Sequence, residues 1–264
     1  MEGCGTVTSA PGARETKLQC LPMSKLTKSG TLNWMRKAIF DFDGTLAQRP
    51  GRWSQCMVEV LDELIPGNVV TSDDIRPFLR DGFPWHAPDV EHLHLSTPDL
   101  WWDNLTPLLR NAYEQVGVTS ELMNLALTEV RRTYCDPSRF DLFPDVVDAL
   151  SELRGAGWRV TILSNHVPEL RGIVNGLGLG DLIDEVFSSA LIGYEKPHPC
   201  AFKIAIGHSN PDECLMIGDD RAADVLGAEQ FGIRAILVRE SSEPQRSPID
   251  VRDAVELILS EERL

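Results

Sequence analysis

Three runs of this sequence end in residues that could do chemistry together. Asp41-Phe42-Asp43-Gly44-Thr45 closes one apolar run, Ser164-Asn165 closes a second, and Gly218-Asp219-Asp220 closes another, with Asp224 just behind. Gathered in one place, Asp41, Asp43, Asp219 and either Asp220 or Asp224 would repel, so one or more must be protonated or neutralised. A hard cation meets that need: Mg²⁺ takes oxygen ligands, keeps several waters, and is satisfied by two carboxylates plus a substrate oxygen. A carboxylate beside such an ion can attack phosphorus, and the aspartyl-phosphate so formed divides one hard displacement into two easier ones. Asp43 can protonate the leaving oxygen and then activate the hydrolytic water. Ser164 offers a hydroxyl to phosphoryl oxygens, and amides around Asn165 and Asp43-Gly44 offer N–H donors. A fixed cation is still wanted. Beyond Lys37 the only lysines are Lys196 and Lys203, and Lys196 sits in the stiff run Tyr194-Glu195-Lys196-Pro197-His198-Pro199.

Convergence requires elements that place these run-ends side by side. Short apolar runs at 37–42, 159–163, 184–187, 214–217 and 234–238 alternate with helical patterns at 145–154, 168–175, 199–206 and 222–231, and a helix over 249–262 closes the chain. Such alternation predicts an α/β fold, a parallel sheet covered by helices, whose ligands gather at the carboxyl ends of the strands. Pro168 suits the first turn of its helix, which would aim its positive end at a phosphate. Residues 47–140 differ. They show helical patterns only, at 54–65, more weakly at 73–80, and at 98–116 and 120–134, with Ser54, Thr97 and Ser120 as N-cap candidates. The stretch reads as a helical cap domain inserted in a core made of 35–46 and 141–264. Residues 1–34, rich in small and polar residues without periodicity, read as a mobile tail.

Taken together, these residues resemble the haloacid dehalogenase superfamily, subfamily I. Asp41-Phe42-Asp43-Gly44-Thr45-Leu46 is similar to its first motif, Ile162-Leu163-Ser164-Asn165 to its second, Lys196-Pro197 to its third, and Gly218-Asp219-Asp220-Arg221-Ala222-Ala223-Asp224 to its fourth. The resemblance implies a Rossmann-like core and an Mg²⁺-dependent phosphatase of small phosphorylated metabolites. It implies Asp41 as nucleophile, Asp43 as general acid and base, and Lys196 as the steadying cation. Ser164, with Asn165 and Gly44, would bind phosphate; Asp41, the Asp43 carbonyl and Asp219 would bind the metal, supported by Asp224. Dehalogenating relatives generally lack the second aspartate, so Asp43 favours phosphoryl transfer. Phosphonate-cleaving relatives use a cap lysine, and residues 47–140 contain none. A phosphomutase, or a non-catalytic sensor on the same scaffold, remains the alternative.

A net charge of −15 argues against nucleic-acid and anionic-membrane surfaces. No apolar run approaches the roughly 18 residues that cross a bilayer. Six cysteines without a CxxC pair suit a reduced, cytoplasmic compartment. A monomer or homodimer is expected. Singly, each site residue has a plainer reading: Asp43-Gly44 as a turn, Ser164 as a cap, Lys196 as a solvated cation. His86, His92 and His94 match no established zinc spacing. Trp85, Trp101 and Trp102 read as cap packing before substrate contacts. Arg76, Arg80 and Arg110 read as solvated, the other choice being a second anionic group on a substrate.

Overall fold

The apolar run ending in Asp41 forms the middle strand of the main sheet. β1 (Lys37–Phe40) is buried along its whole length, as a strand covered on both faces must be. The computed structural model describes residues 36–240 and 249–261; the tail expected over 1–34 lies outside the described residues. After β1 come β2 (Ala47–Gln48), β3 (Asp141–Leu142), β4 (Arg159–Ser164), β5 (Glu185–Ser188), β6 (Cys214–Gly218) and β7 (Arg234–Leu237). The main sheet runs β5-β4-β1-β6-β7, every pair parallel. This is an α/β fold with a Rossmann-like core.

Topology decides where chemistry can happen. From β1 the chain builds β4 and β5 on one side, then crosses to build β6 and β7 on the other. A crevice opens where the order reverses, at the carboxyl ends of β1 and β6. Phe40 is level with Ile162 and with Ile217, so Asp41 stands level with Leu163 and Gly218. Ser164 and Asp219 are each one residue further on.

Between β2 and β3, which pair antiparallel, the chain is helical: α1 (Arg52–Leu64), α2 (Ser72–Ile75), α3 (Pro98–Gln115) and α4 (Ser120–Tyr134). Several boundaries differ from the sequence expectation. α1 starts at Arg52 with Gly51 as N-cap; Ser54, expected there, lies inside the first turn and donates to the Gly51 carbonyl at 3.2 Å. Thr119, not Ser120, caps α4. The pattern at 73–80 resolves into α2, held by a Thr71–Asp74 capping box, and a tighter 3₁₀ turn over Arg76–Leu79, because Pro77 cannot donate within an α-helix. Trp101 and Trp102 pack inside, as expected, against Trp53.

The remaining helices are α5 (Val146–Gly155), α6 (Leu170–Gly176), α7 (Ser189–Ile192), α8 (Pro199–Ile206), α9 (Gly227–Phe231) and α10 (Val251–Glu261). The helix expected from Pro168 begins at Leu170. The residue before it, Glu169, accepts from Arg131 at 2.8 Å and from the Trp102 indole at 3.1 Å, tying α3 and α4 to the core rather than opening a positive helix end. The pattern expected as one helix over 222–231 opens with a π-helical turn, Arg221–Leu226, before α9. Among the described residues no helix is long and apolar enough to cross a membrane.

Candidate active site

β1, β4 and β6 deliver their terminal residues to one cavity of about 360 Å³ lined by Asp41, Asp43, Ser164, Asn165, Lys196, Asp219 and Asp224. Gly44, which also carries a sequence expectation, lines the neighbouring cavity together with Asp43. Asp41 is 7% exposed; its amide donates to the Ile217 carbonyl at 2.9 Å, so the sheet ladder runs one residue past β1. Lys196 Nζ lies 2.6 Å from Asp41 Oδ1 and 2.5 Å from Asp224 Oδ1. The lysine is held from behind: the Asn165 side chain accepts from its amide at 2.7 Å and donates to its carbonyl at 2.9 Å. Asn165 therefore fixes the loop that carries the cation, and the peptide from Lys196 to Pro197 in that loop is cis.

The aspartates are not equivalent. The second oxygen of Asp224 accepts from the Asp220 amide at 3.0 Å, so both its oxygens are engaged. Asp219 accepts from the Thr45 hydroxyl at 3.1 Å through Oδ1. Asp220 caps the π-helical turn through the amides of Ala222 and Ala223. Burial first, then the Asp41 charge, raises the Asp219 carboxyl to about 6. Burial likewise lifts Asp224 to about 7 against the pull of Lys196, with Asp41 adding to the rise. Burial works against the Lys196 ammonium, but Asp224 and Asp41 outweigh it and keep it protonated beyond the usual lysine range. One cation thus leaves three carboxylates short of positive charge.

That imbalance is what a hard divalent ion would relieve. Donor atoms of Asp41, Asp219 and Asp224 lie within 4.8 Å of one another, the group among the described residues able to hold an ion. His86, His92 and His94 form no such group. The all-oxygen donor set suits Mg²⁺ and is poor for zinc. With Asp224 occupied by Lys196, Asp41 and Asp219 keep the freer oxygens.

A haloacid dehalogenase-like hydrolase family model matches residues 35–232. The chain belongs to the haloacid dehalogenase-like hydrolase family. It is 32% identical over 201 residues to a phosphoserine phosphatase of Thermus thermophilus, covering 68% of this chain and 78% of that one. Further phosphatase relatives match over about half of their own length. A solved phosphatase of the family from Thermococcus onnurineus superposes with TM-score 0.57 at 22% identity, covering 87% of this chain and 100% of that one. An L-2-haloacid dehalogenase from Xanthobacter autotrophicus gives TM-score 0.60 at 20% identity, covering 86% and 99%. Likenesses this distant in sequence concern the fold alone.

Within this haloacid dehalogenase-like site, several residues escaped sequence reasoning. His166 is 2% exposed, and its Nε2 stands 3.4 Å from Asp43 Oδ2. It packs edge-on against Phe42, with ring centroids 5.4 Å apart, and neither ring nitrogen makes a hydrogen bond among the described residues. Its position directly after Ser164-Asn165 was the available signal. Tyr134 and Trp53 also line the cavity, stacked with centroids 3.9 Å apart; from sequence Tyr134 is only the last residue of the 120–134 helical pattern, and Trp53 precedes the 54–65 pattern. Asp43 faces this wall. Its side chain is 28% exposed, yet enclosure by the protein raises its carboxyl, His166 opposing and Asp41 adding to the rise.

Gly44 permits a close approach of Asp219 to the backbone. Its φ is +85°, and a β-carbon built there would sit 2.2 Å from Asp219 Oδ2. Gly44→Ala is expected to cost roughly 1–3 kcal/mol and to displace Asp219. Gly117, with φ +84° and nothing within 4 Å of a built β-carbon, isolates the backbone part; Gly117→Ala should cost only about 1 kcal/mol. Denaturant melts of both variants check the difference, and equal losses would show that the carboxylate contact contributes nothing.

Proposed function

We propose that this chain is a metal-dependent phosphatase that hydrolyses small phosphate monoesters through an aspartyl-phosphate on Asp41. The observation that carries the reading is Lys196 Nζ held between Asp41 and Asp224, 2.6 and 2.5 Å away, at the sheet's reversal point. Relatives named as phosphatases support it.

An Asp41 carboxylate oxygen attacks phosphorus, and the bond from phosphorus to the ester oxygen breaks. Asp43, whose carboxyl is raised and so holds a proton more readily, gives that proton to the departing alcohol. Asp43 then removes a proton from water, whose oxygen attacks phosphorus. The bond to Asp41 breaks, releasing inorganic phosphate and the free carboxylate. Lys196 keeps Asp41 aimed and compensates charge on the transferring group, while Ser164 offers its hydroxyl to a phosphoryl oxygen. Asp41 and Asp219 would hold Mg²⁺, with the Asp43 carbonyl, and Asp224 would act on the metal through Lys196 and its surroundings. The bound ion supplies charge neutralisation and orientation of the phosphoryl oxygens. Residues 47–140 would act as a cap that excludes water during attack.

The test is phosphate release from phosphoserine, phosphoglycolate, glyceraldehyde phosphate and sugar phosphates, with Mg²⁺ and with a chelator. Release with the ion and at least about 10³-fold less without it is expected. Release that ignores the chelator would overturn the metal's part. Phosphoryl groups recovered on a sugar hydroxyl instead of in water would favour a mutase.

A further inference from the structure

Beside the catalytic cavity lies a second one of about 530 Å³, and both share Asp43, Arg52, Trp53 and Trp85 as wall. The outer cavity therefore adjoins the space beside Asp41. The outer cavity's charge is opposite to that of the whole protein. The chain carries a net −15, yet this cavity is lined by four arginines, Arg49, Arg52, Arg76 and Arg80, against one carboxylate, Asp43.

The four arginines differ in what they already hold. Arg49 is buried and paired with Glu59 at 2.7 Å. Arg76 is paired with Asp73 one turn earlier. Arg52 and Arg80 have no carboxylate within ion-pair distance among the described residues. Both are exposed residues that line the cavity. Arg52 also holds a left-handed backbone conformation, φ +50°, which a side-chain-bearing residue adopts only where its surroundings impose it. Trp85 and Phe83, stacked with centroids 4.6 Å apart, add an apolar surface to the lining of this cavity.

We propose that this cavity seats the alcohol part of the substrate and that Arg80, aided by Arg52, binds a second anionic group on it, a carboxylate or a phosphate. This rests on the phosphatase reading and narrows its substrate class to monoesters bearing a further negative charge. Two free guanidiniums in a basic pocket of an acidic protein are matched by such a group and left unanswered by a neutral alcohol. Arg80 is the cleaner probe because it lines only the outer cavity, whereas Arg52 also faces Asp43 closely enough to favour that carboxyl's charged form.

The experiment compares matched pairs: phosphoglycerate with glycerol phosphate for the carboxylate, and propanediol bisphosphate with propanediol monophosphate for the phosphate. The expected preference in kcat/KM for the anion-bearing member is at least about tenfold in one pair, and Arg80→Gln should remove most of it. Which pair shows the preference tells carboxylate from phosphate. A ratio near one in both pairs, or a ratio unchanged by Arg80→Gln, overturns the proposal. Calorimetric binding of propanediol bisphosphate and of phosphoglycerate to the Asp41→Asn protein provides an arm that needs no turnover. Binding of one of them weakened about tenfold by Arg80→Gln supports the subsite even if no ester is hydrolysed, in which case the hydrolytic reading alone has failed. Binding indifferent to Arg80 in that arm overturns the subsite alone.

Discussion

Asp41→Asn is expected to lower phosphate release at least about 10⁴-fold, since loss of a nucleophile removes the covalent path altogether. The fold should survive. Asparagine fills the same space, Lys196 keeps Asp224 at 2.5 Å, and the neutral amide no longer raises the neighbouring carboxyls of Asp219 and Asp224. Thermal stability without metal should therefore be equal to that of the parent or slightly higher. Affinity for Mg²⁺ should fall, because one of the freer ligand oxygens is replaced by a weaker donor. Turnover assays, thermal melts and metal titrations together separate the possibilities. Near-parental turnover would remove Asp41 from the nucleophile's role. A parent that binds phosphate compounds tightly but turns none over would direct attention to a sensing role on this scaffold.

Much of the site was legible because its residues stand at strand ends, where sequence position and spatial position agree. Asp41, Ser164 and Asp219 each follow a short apolar run, and the parallel register of β1, β4 and β6 carries them to one edge. Lys196 was legible by scarcity, being one of two lysines after Lys37. What escaped notice depends on side chains crossing between elements. Asn165 locks the Lys196 backbone from 31 residues away, and no local pattern reports such a bond. The Asp224 carboxylate engages Lys196 rather than open space because a π-helical turn positions it, and a helical periodicity of 3.6 does not distinguish that turn. His166 reads as an ordinary residue until its ring is seen between Phe42 and Asp43. Arg80 was visible as a charge, but that neither it nor Arg52 has a carboxylate within ion-pair distance among the described residues is a property of the folded chain.

Lys196→Met should produce the largest loss of stability of any single change in the site. Lys196 is 3% exposed, and its ammonium contacts two carboxylates that are themselves buried. Removing it leaves Asp41 and Asp224 facing each other without a cation, and breaking a buried pair in this way costs about 3–5 kcal/mol. Methionine keeps the length and apolar stem, so lost packing contributes little. The sign of the pH dependence follows from the carboxyls. Asp224 and Asp219 take up protons at about 7 and about 6 even with the lysine present, and still more readily without it. The loss should therefore be greatest near about pH 8 and shrink toward about pH 5, where Asp219 and Asp224 are protonated. Lys203→Met provides the control: that lysine is exposed on α8, and its removal should stay within about 0.5 kcal/mol. Adding Asp224→Asn to Lys196→Met should restore part of the loss, because it removes one of the two uncompensated charges. Denaturant melts of these variants at both pH values measure all three effects. A Lys196→Met loss no larger than that of Lys203→Met would mean that the lysine does not compensate the cluster, and the charge on Asp41 would then need another source of compensation.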